Sequence, residues 1–391
     1  MSNSVSSYNQ QKYTKLVQAL LQERLIAMDI ANTTLLAQMP NGNTINFPRP
    51  TYSSAATYVK YTDVTDSDII ATSESLVINE TPIITFVYDE IDNEDNAWDV
   101  VAVESKNNAF RIQKYIEGKF HNQYQYFNNT YNGWVATALS PTNAVTTALE
   151  AYAQLVNQWV DDSNIVLVVD AFAVAKIGEQ AVSSRFTLWD EAFKRGYKGT
   201  VAGMDMYSTN NLTCVGSIAL ATQPTAGNSI TYAGVKFTFV ASGTATVAGD
   251  VSIGADAAAA IANFVLAFNG TGTPWAATYI EFAKSDRSKL EGTTASVNST
   301  TVTFTSLRWF RGVAKTMSAA GNKFGQFVTY AYAMERGSIF LVLRDNVRVK
   351  VEEIQKQLGK RYFTWSRFGL KVFSQGAERW IVIPLEAKAS E

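Results

Sequence analysis

SNIVLVVDAFAVAKIGEQAVSSRFTLWDEAFKRGYKGTVAGMDMYSTNNLT, residues 163–213, opens with Ile165 to Val169, an unbroken apolar and mostly β-branched run. Such a run suits a strand buried on both faces. Asp170 is placed to cap a short helix from Ala171 to Glu179. A second helix fits Leu188 to Lys194, with Trp189, Ala192 and Phe193 on one side and Gly196 and Gly199 as its stop. Thr200 to Tyr207 returns as a strand that opens with Val201 and is broken by Gly203. The polar turn Ser208-Thr209-Asn210-Asn211 follows. The unit is strand, two short helices, strand, and none of its residues forms a recognisable chemical constellation.

Working outward toward the N-terminus, Ser140-Pro141 predicts a helix start, with Ala148, Tyr152, Leu155 and Trp159 as its buried stripe and Asp161-Asp162 at its end. Before it, Trp98, Val101, Ala102, Ala109, Ile112, Ile116 and Phe120 step by three and four, which predicts a long helix. The carboxylates of Asp89 to Asp95 crowd its start, where the helix dipole favours them. Residues 40–85 are strand-like but thinly apolar (Thr44 to Phe47, Ala56 to Tyr61, Ser75 to Ile78, Ile83 to Val87), and Pro48 and Pro50 restrict pairing to one side. A polar β excursion of this kind buries little alone and suits a hairpin lying across a partner. From Gln11 to Ile30, Val17, Leu20, Leu21, Leu25 and Met28 recur at helical spacing.

Toward the C-terminus, residues 215–306 turn rich in Ala, Gly, Thr and Ser. Ile230 to Tyr232 and Val235 to Phe239 alternate around Ala233-Gly234 as a hairpin. Asp256 caps a predicted helix over 257–268, stopped by Asn269-Gly270. Thr300 to Thr305 adds a strand, so the region reads as a small α+β domain. Beyond it, strands are predicted at Phe327 to Met334, Ile339 to Leu343 and Val347 to Val351. A short helix over Glu352 to Leu358 and a closing hairpin of Phe368 to Phe373 with Arg379 to Ile383 complete the chain.

The chain has 391 residues, is 47% hydrophobic and carries a formal net charge of -2, enough apolar material for one large core or several smaller ones. A global electrostatic grip on nucleic acid is not supported. Charge is nonetheless uneven. Residues 60–105 hold twelve carboxylates against Lys60, and residues 344–371 hold eight Lys/Arg against Asp345, Glu352 and Glu353. They read either as solvated faces or as opposed surfaces of subunits in a polymer, which makes assembly salt-sensitive. Cys214 is the single cysteine, so an intrachain disulfide is excluded and a reducing compartment fits. The polar N-terminus lacks the cationic and apolar regions of a signal peptide, and intracellular synthesis of a soluble protein is expected.

Enzymatic chemistry has little to work with. His121 is the lone histidine, so neither a His-based metal site nor a Ser-His-Asp arrangement is readily built, and a solvated helix-end residue is expected there. Cys214 has no nearby histidine and reads as a buried or incidental thiol. The acidic run at 89–95 lacks the glycine and ligand spacing of a calcium loop. No phosphate-binding Gly-Lys-Ser/Thr loop is present. Arg308, Trp309, Phe310 and Arg311 form a basic-aromatic patch that reads as an interface anchor or as a stacking surface for nucleic acid. No catalytic, cofactor-binding or metal-binding residue is assigned, and no cofactor is expected.

The cadence Gly-Thr-Val-Ala-Gly-Met-Asp-Met-Tyr-Ser-Thr-Asn-Asn-Leu (199–212), set after a buried strand ending in Asp170-Ala171-Phe172, resembles the axial-domain core of tailed-phage major capsid proteins. It is similar to the P22 coat-protein branch of the HK97-like fold, and the hairpin Ile-Thr-Tyr-Ala-Gly-Val-Lys-Phe-Thr-Phe (230–239) resembles accessory domains inserted in such proteins. The resemblance implies an α+β, HK97-like capsid fold. Its parts would be an N-terminal arm (1–38), an E-loop (39–87), a peripheral domain with a long spine helix (88–163), an axial domain (164–214), an insertion domain (215–306) and a completing segment (307–391). It implies a major capsid protein that assembles with itself into pentamers and hexamers of an icosahedral shell. A scaffolding protein, a portal and packaged double-stranded DNA held without sequence-specific contacts would be partners, with room for a decoration protein and no membrane. Assembly would take place in the bacterial cytoplasm and the product would be the virion capsid. An encapsulin-like compartment shell and a carbohydrate-binding or adhesin module are the alternatives.

Overall fold

The computed structural model describes residues 26–35, 43–50, 57, 60, 71–89, 100–158, 160–183, 199–201, 203–219, 222–272, 274, 278–290, 292–298, 301–306, 315–318, 323–354 and 359–386. Its first strands are β1 (Thr44–Pro50), β2 (Ala71–Val77), β3 (Ile83–Asp89), β4 (Ile165–Val169), β5 (Thr200–Val201), β6 (Met204–Ser208) and β7 (Cys214–Ala219). Then come β8 (Ser229–Tyr232), β9 (Val235–Val240), β10 (Asp250–Ser252), β11 (Thr293–Asn298), β12 (Thr301–Ser306) and β13 (Lys315–Met317). The last are β14 (Lys323–Phe324), β15 (Val328–Glu335), β16 (Ile339–Glu353), β17 (Gly359–Val372) and β18 (Trp380–Glu386). The helices are α1 (Ala27–Ile30), α2 (Val100–His121), α3 (Ala144–Asn157), α4 (Ala171–Ser183), α5 (Ala257–Asn269), α6 (Lys284–Leu290) and α7 (Ser374–Ala377). The chain divides into two compact units, one of residues 1–120 and 336–376, the other of residues 121–335 and 377–391.

In the first unit, α2 lies on the antiparallel sheet β16-β17-β3. Its stripe is buried where the spacing predicts, at Ile112, Ile116 and Phe120, and Ile112 and Ile116 pack with Leu341 and Phe368. Ala102, expected on that stripe, is exposed. The hairpin β1-β2 is anchored at its base: Leu76 and Ile78 are buried with Leu35 and Val342, and Phe47 meets Phe373 edge-on at 4.8 Å. The excursion is therefore not thinly packed throughout. Glu80 pairs with the backbone of Phe368 and its carboxylate receives Lys119 at 3.0 Å.

Glu117, buried on α2, accepts the backbone N–H groups of Ile26 at 2.9 Å and Ala27 at 2.8 Å and so fixes the start of α1. Buried donors left without an acceptor are costly. Glu117→Ala is expected to lower stability by about 2–3 kcal/mol in urea denaturation and to speed proteolysis around residue 26, with Glu117→Gln recovering part of the loss.

In the second unit, β4 is buried at every residue and pairs in parallel with β6. Asp170 Oδ1 accepts the Ala173 N–H at 2.7 Å, the cap read from the sequence. Gly203, at φ 85°, sits in the turn that folds β5 back antiparallel on β6, so the predicted strand is a small hairpin there. The sheet runs β11-β12-β7-β15-β4-β6-β5, with β18 beside β15 and β14 beside β7. Segment 129–137 covers the outer edge of β18, and Trp380 stacks on Phe127 at 3.7 Å.

The 215–306 region adds α5 and the strands β10-β9-β8 of a sheet that β13 joins. The β8-β9 turn uses Ala233 at φ 53° and Gly234 at φ 76°, as an alternating hairpin around Ala-Gly requires. Asp256 Oδ1 accepts the Ala259 N–H at 2.8 Å, and Gly270 ends α5 at φ 63°. Phe237 is fully buried, with Phe264 and Phe282 each at 4.9 Å. Two features were not legible: β11 and β12 extend β7 and thereby the sheet of β15 and β4, and β13, from beyond residue 306, completes the sheet of β8.

Several expectations are corrected. Ile339 to Leu343 and Val347 to Val351 belong to one strand, β16, whose register with β17 shifts between Leu343 and Arg348. Glu352 and Glu353 end that strand rather than opening a helix. β17 and β18 do not form a hairpin: β17 pairs with β16 and β3, β18 with β15, and α7 separates them. The helix after Ser140 begins only at Ala144, because Ser140 and Asn143 close a turn in which the Ser140 N–H donates to Asn143 Oδ1 at 2.7 Å. Met28 is 50% exposed, off the expected apolar stripe. The helix over Leu188 to Lys194, residues 11–25 of the N-terminal helix, the 355–358 segment, Trp98, Trp159, most of the strand at Ala56 to Tyr61 and the patch Arg308 to Arg311 lie outside the described residues.

Candidate assembly surfaces

The single histidine and the single cysteine are both buried. His121 is not solvated as expected: it is 1% exposed, and its Nδ1 shares a 2.6 Å hydrogen bond with the Tyr332 hydroxyl. β15 brings that hydroxyl to His121, a pairing separated by 211 positions and invisible to local patterning. Cys214 is fully buried in β7, its thiol 3.3 Å from Thr329 Oγ1. Among the described residues no group of three or more His, Cys, Asp or Glu is placed to hold a metal ion, and no helix is long and apolar enough to cross a membrane.

The cadence at 199–212 acts on the backbone. Gly199 and Gly203 adopt φ of 57° and 85°, a region that favours glycine, and the Thr209 N–H closes onto the Val169 carbonyl at the end of β4 at 3.0 Å. Asn211 is buried and its N–H donates to Thr209 Oγ1 at 3.1 Å. These glycines and polar side chains shape a loop and carry no reactive group.

What the described residues do present is surface of an unusual kind. In the first unit the outer half of the sheet β16-β17-β3 extends past the α2 core. Ile83, Val87, Val349 and Val351 are 56, 40, 48 and 48% exposed. Register sets Ile83, Trp365 and Arg348 in one row across the three strands and Thr85, Phe363 and Lys350 in the next. Arg348 lies 5.8 Å over Trp365 and 3.0 Å from Asp345, and Lys350 is 2.6 Å from Glu352. On the opposite face Phe86 stacks on Tyr362 at 4.8 Å. A three-stranded sheet with apolar residues showing on both sides is the sort of element another chain completes.

The charge runs are partly consumed inside the unit. Glu74 holds Ser374, Glu80 holds Lys119, and Arg344 and Arg367 reach Asn43 Oδ1 at 2.6 and 3.3 Å. Most of the remaining acidic run, residues 61–70 and 90–99, lies outside the described residues. In the second unit, aromatic and aliphatic side chains of segment 122–158 reach the surface, among them Tyr126 at 64% and Trp134 at 48% exposure. Beneath them Tyr124 stacks on Tyr330 at 4.3 Å, and burial pushes both phenols above the ordinary tyrosine range.

Comparison with known proteins finds no matching family model and no matching curated protein. Solved structures do match. A structure from Mycobacterium phage Che8 aligns over 96% of this chain and 97% of its own, with a TM-score of 0.55 at 14% identity. The capsid structure of cyanophage P-SCSP1u aligns over 100% and 96%, TM-score 0.52 at 11% identity. The asymmetric unit of the mature capsid of bacteriophage PhiM1 aligns over 96% and 91%, TM-score 0.52 at 7% identity. The fold is thus α+β and HK97-like, matched end to end.

Proposed function

We propose that the chain is a major capsid protein, the repeating subunit of the icosahedral shell that encloses the double-stranded DNA genome of a tailed bacteriophage. The observation that carries this reading is the end-to-end match in both directions to structures from phage capsids. The exposed apolar residues of β3 and β16 support it, since they are costly on a solitary soluble protein and useful on a polymer. Within this reading, residues 215–306 form a P22-like insertion domain, residues 39–87 an E-loop that reaches a neighbouring subunit, and α2 the spine helix. Scaffolding protein, portal and packaged DNA are the partners of assembly. The DNA would be held without base-specific contacts, and assembly would take place in the bacterial cytoplasm.

Function here is polymerisation, so subunit surfaces take the place of a catalytic centre. Mass spectrometry of nuclease-resistant particles purified from lysates of the phage tests it: this chain is expected to be the most abundant polypeptide, in particles that contain double-stranded DNA. Shells of this chain filled with a protein cargo and no DNA would instead identify an encapsulin-type compartment.

A further inference from the structure

Residues 122–160 contain a single charged side chain, Glu150, whereas 17% of the whole chain is charged. A face that stays in water normally carries charge on about a quarter to a third of its residues. This segment is nevertheless at the surface: Trp134, Val135, Leu149 and Val156 are 48, 60, 46 and 39% exposed.

These side chains belong to one face. Residues 129–138 run antiparallel to α3, tied to it and its N-terminal turn at three levels. Asn129 Nδ2 donates to Gln158 Oε1 at 2.9 Å, the Tyr131 hydroxyl donates to the Glu150 carboxylate, and Asn143 Nδ2 donates to the Ala138 carbonyl at 3.0 Å. Trp134 and Val135 fall between the second and third of these ties, level with the first half of α3. On that helix Ala144, Thr147, Ala148, Ala151 and Leu155 are buried, which leaves Thr146, Leu149, Ala153 and Val156 as an exposed stripe at helical spacing. The one carboxylate is occupied: burial first, and then the hydrogen bond to Glu150, raise the Tyr131 phenol above its usual range and keep it a donor.

We propose that this face is the docking surface for a second copy of the chain, resting on the capsid reading above. Without a lysine or arginine between 122 and 160 it offers nothing to DNA phosphates or to an anionic lipid surface. With its carboxylate engaged it offers little to a basic partner. It is complementary to another neutral surface, an aromatic and aliphatic centre with charge held to the rim at Asp161 and Asp162. The chain also carries a second uncharged stretch, since residues 206–235 hold no charged side chain and Asn210, Ala219, Gln223 and Thr225 within it are exposed. A face that meets a different face of the next copy generates rings when the rotation closes, the symmetry that pentamers and hexamers need.

The test places a photo-crosslinking benzoylphenylalanine at Leu149 in particles assembled from equal amounts of nitrogen-light and nitrogen-heavy chains. Crosslinked peptides joining light to heavy chains are expected. Crosslinks confined to one copy, crosslinks to a different protein, or none at all would overturn the proposal. In parallel, Leu149→Glu combined with Val156→Glu is expected to leave the melting temperature of the unassembled chain unchanged and to cut particle yield at least about tenfold. If the unsubstituted chain forms no shells, the capsid reading fails. If it forms them and the doubly substituted chain matches its yield, the docking face alone fails.

Discussion

A chain in which residues 51–70 are replaced by Asn-Gly is expected to fold normally and to stop making closed shells. The last pair of the β1-β2 ladder is Pro50 with Ala71, so a two-residue turn of the type that hairpins favour can join the strands there. Everything that anchors the hairpin is kept, including Phe47, Leu76, Ile78 and the Glu80 pairing with Phe368. The stability of the unassembled chain in urea is therefore expected to stay within about 0.5 kcal/mol of the parent. If the proposed E-loop reading holds, particle yield is expected to fall at least about a hundredfold, because every subunit would lose a contact with its neighbour and such losses multiply around a shell. Particles of parental size and yield would remove the E-loop assignment. Deleting all of 44–84 is a poorer test, since it also takes out the buried Leu76 and Ile78 and unfolds the unit that should be preserved.

The second large effect is on stability. Phe237 is fully buried between Phe264 and Phe282, with Phe268 at 5.8 Å. Phe237→Ala is expected to cost about 3–5 kcal/mol, the lost transfer energy plus the cavity left among rings that cannot all close in. Hydrogen exchange is expected to show protection lost from β8, β9, β10 and α5 and retained in β16 and β17, which belong to the other compact unit. Equal loss in both units would mean that they fold as one.

The elements read from sequence were those whose signals are local. The five-residue apolar run of β4, the Asp170 and Asp256 caps, the Ala233-Gly234 turn and the three-four spacing of α2 all act within a few residues of themselves. What escaped depends on partners distant in sequence. β16 reads as two strands because the bulge between Leu343 and Arg348 interrupts its alternation, and only pairing with β17 shows the strand to be continuous. β17 and β18 read as a hairpin in the sequence because a Gly-containing turn between two apolar runs does not say which sheet each run joins. His121 looked solvated beside Gln123 and Tyr124 because Tyr332, which buries it, comes from another element. The surfaces proposed for assembly are legible in part. The absence of charge from 122–160 is plain in the sequence, but only the path of 129–138 along α3 makes it one face.

The most direct measurement is cryo-electron microscopy of the particles formed when the full chain is co-expressed with the scaffolding protein that the proposed capsid function calls for. Closed icosahedral shells of pentamers and hexamers are expected, into whose density both compact units fit, with the proposed E-loop toward an adjacent subunit and the α3 face against the next copy in the ring. A chain that stays monomeric under those conditions, or that stacks into open fibres, would contradict the capsid reading.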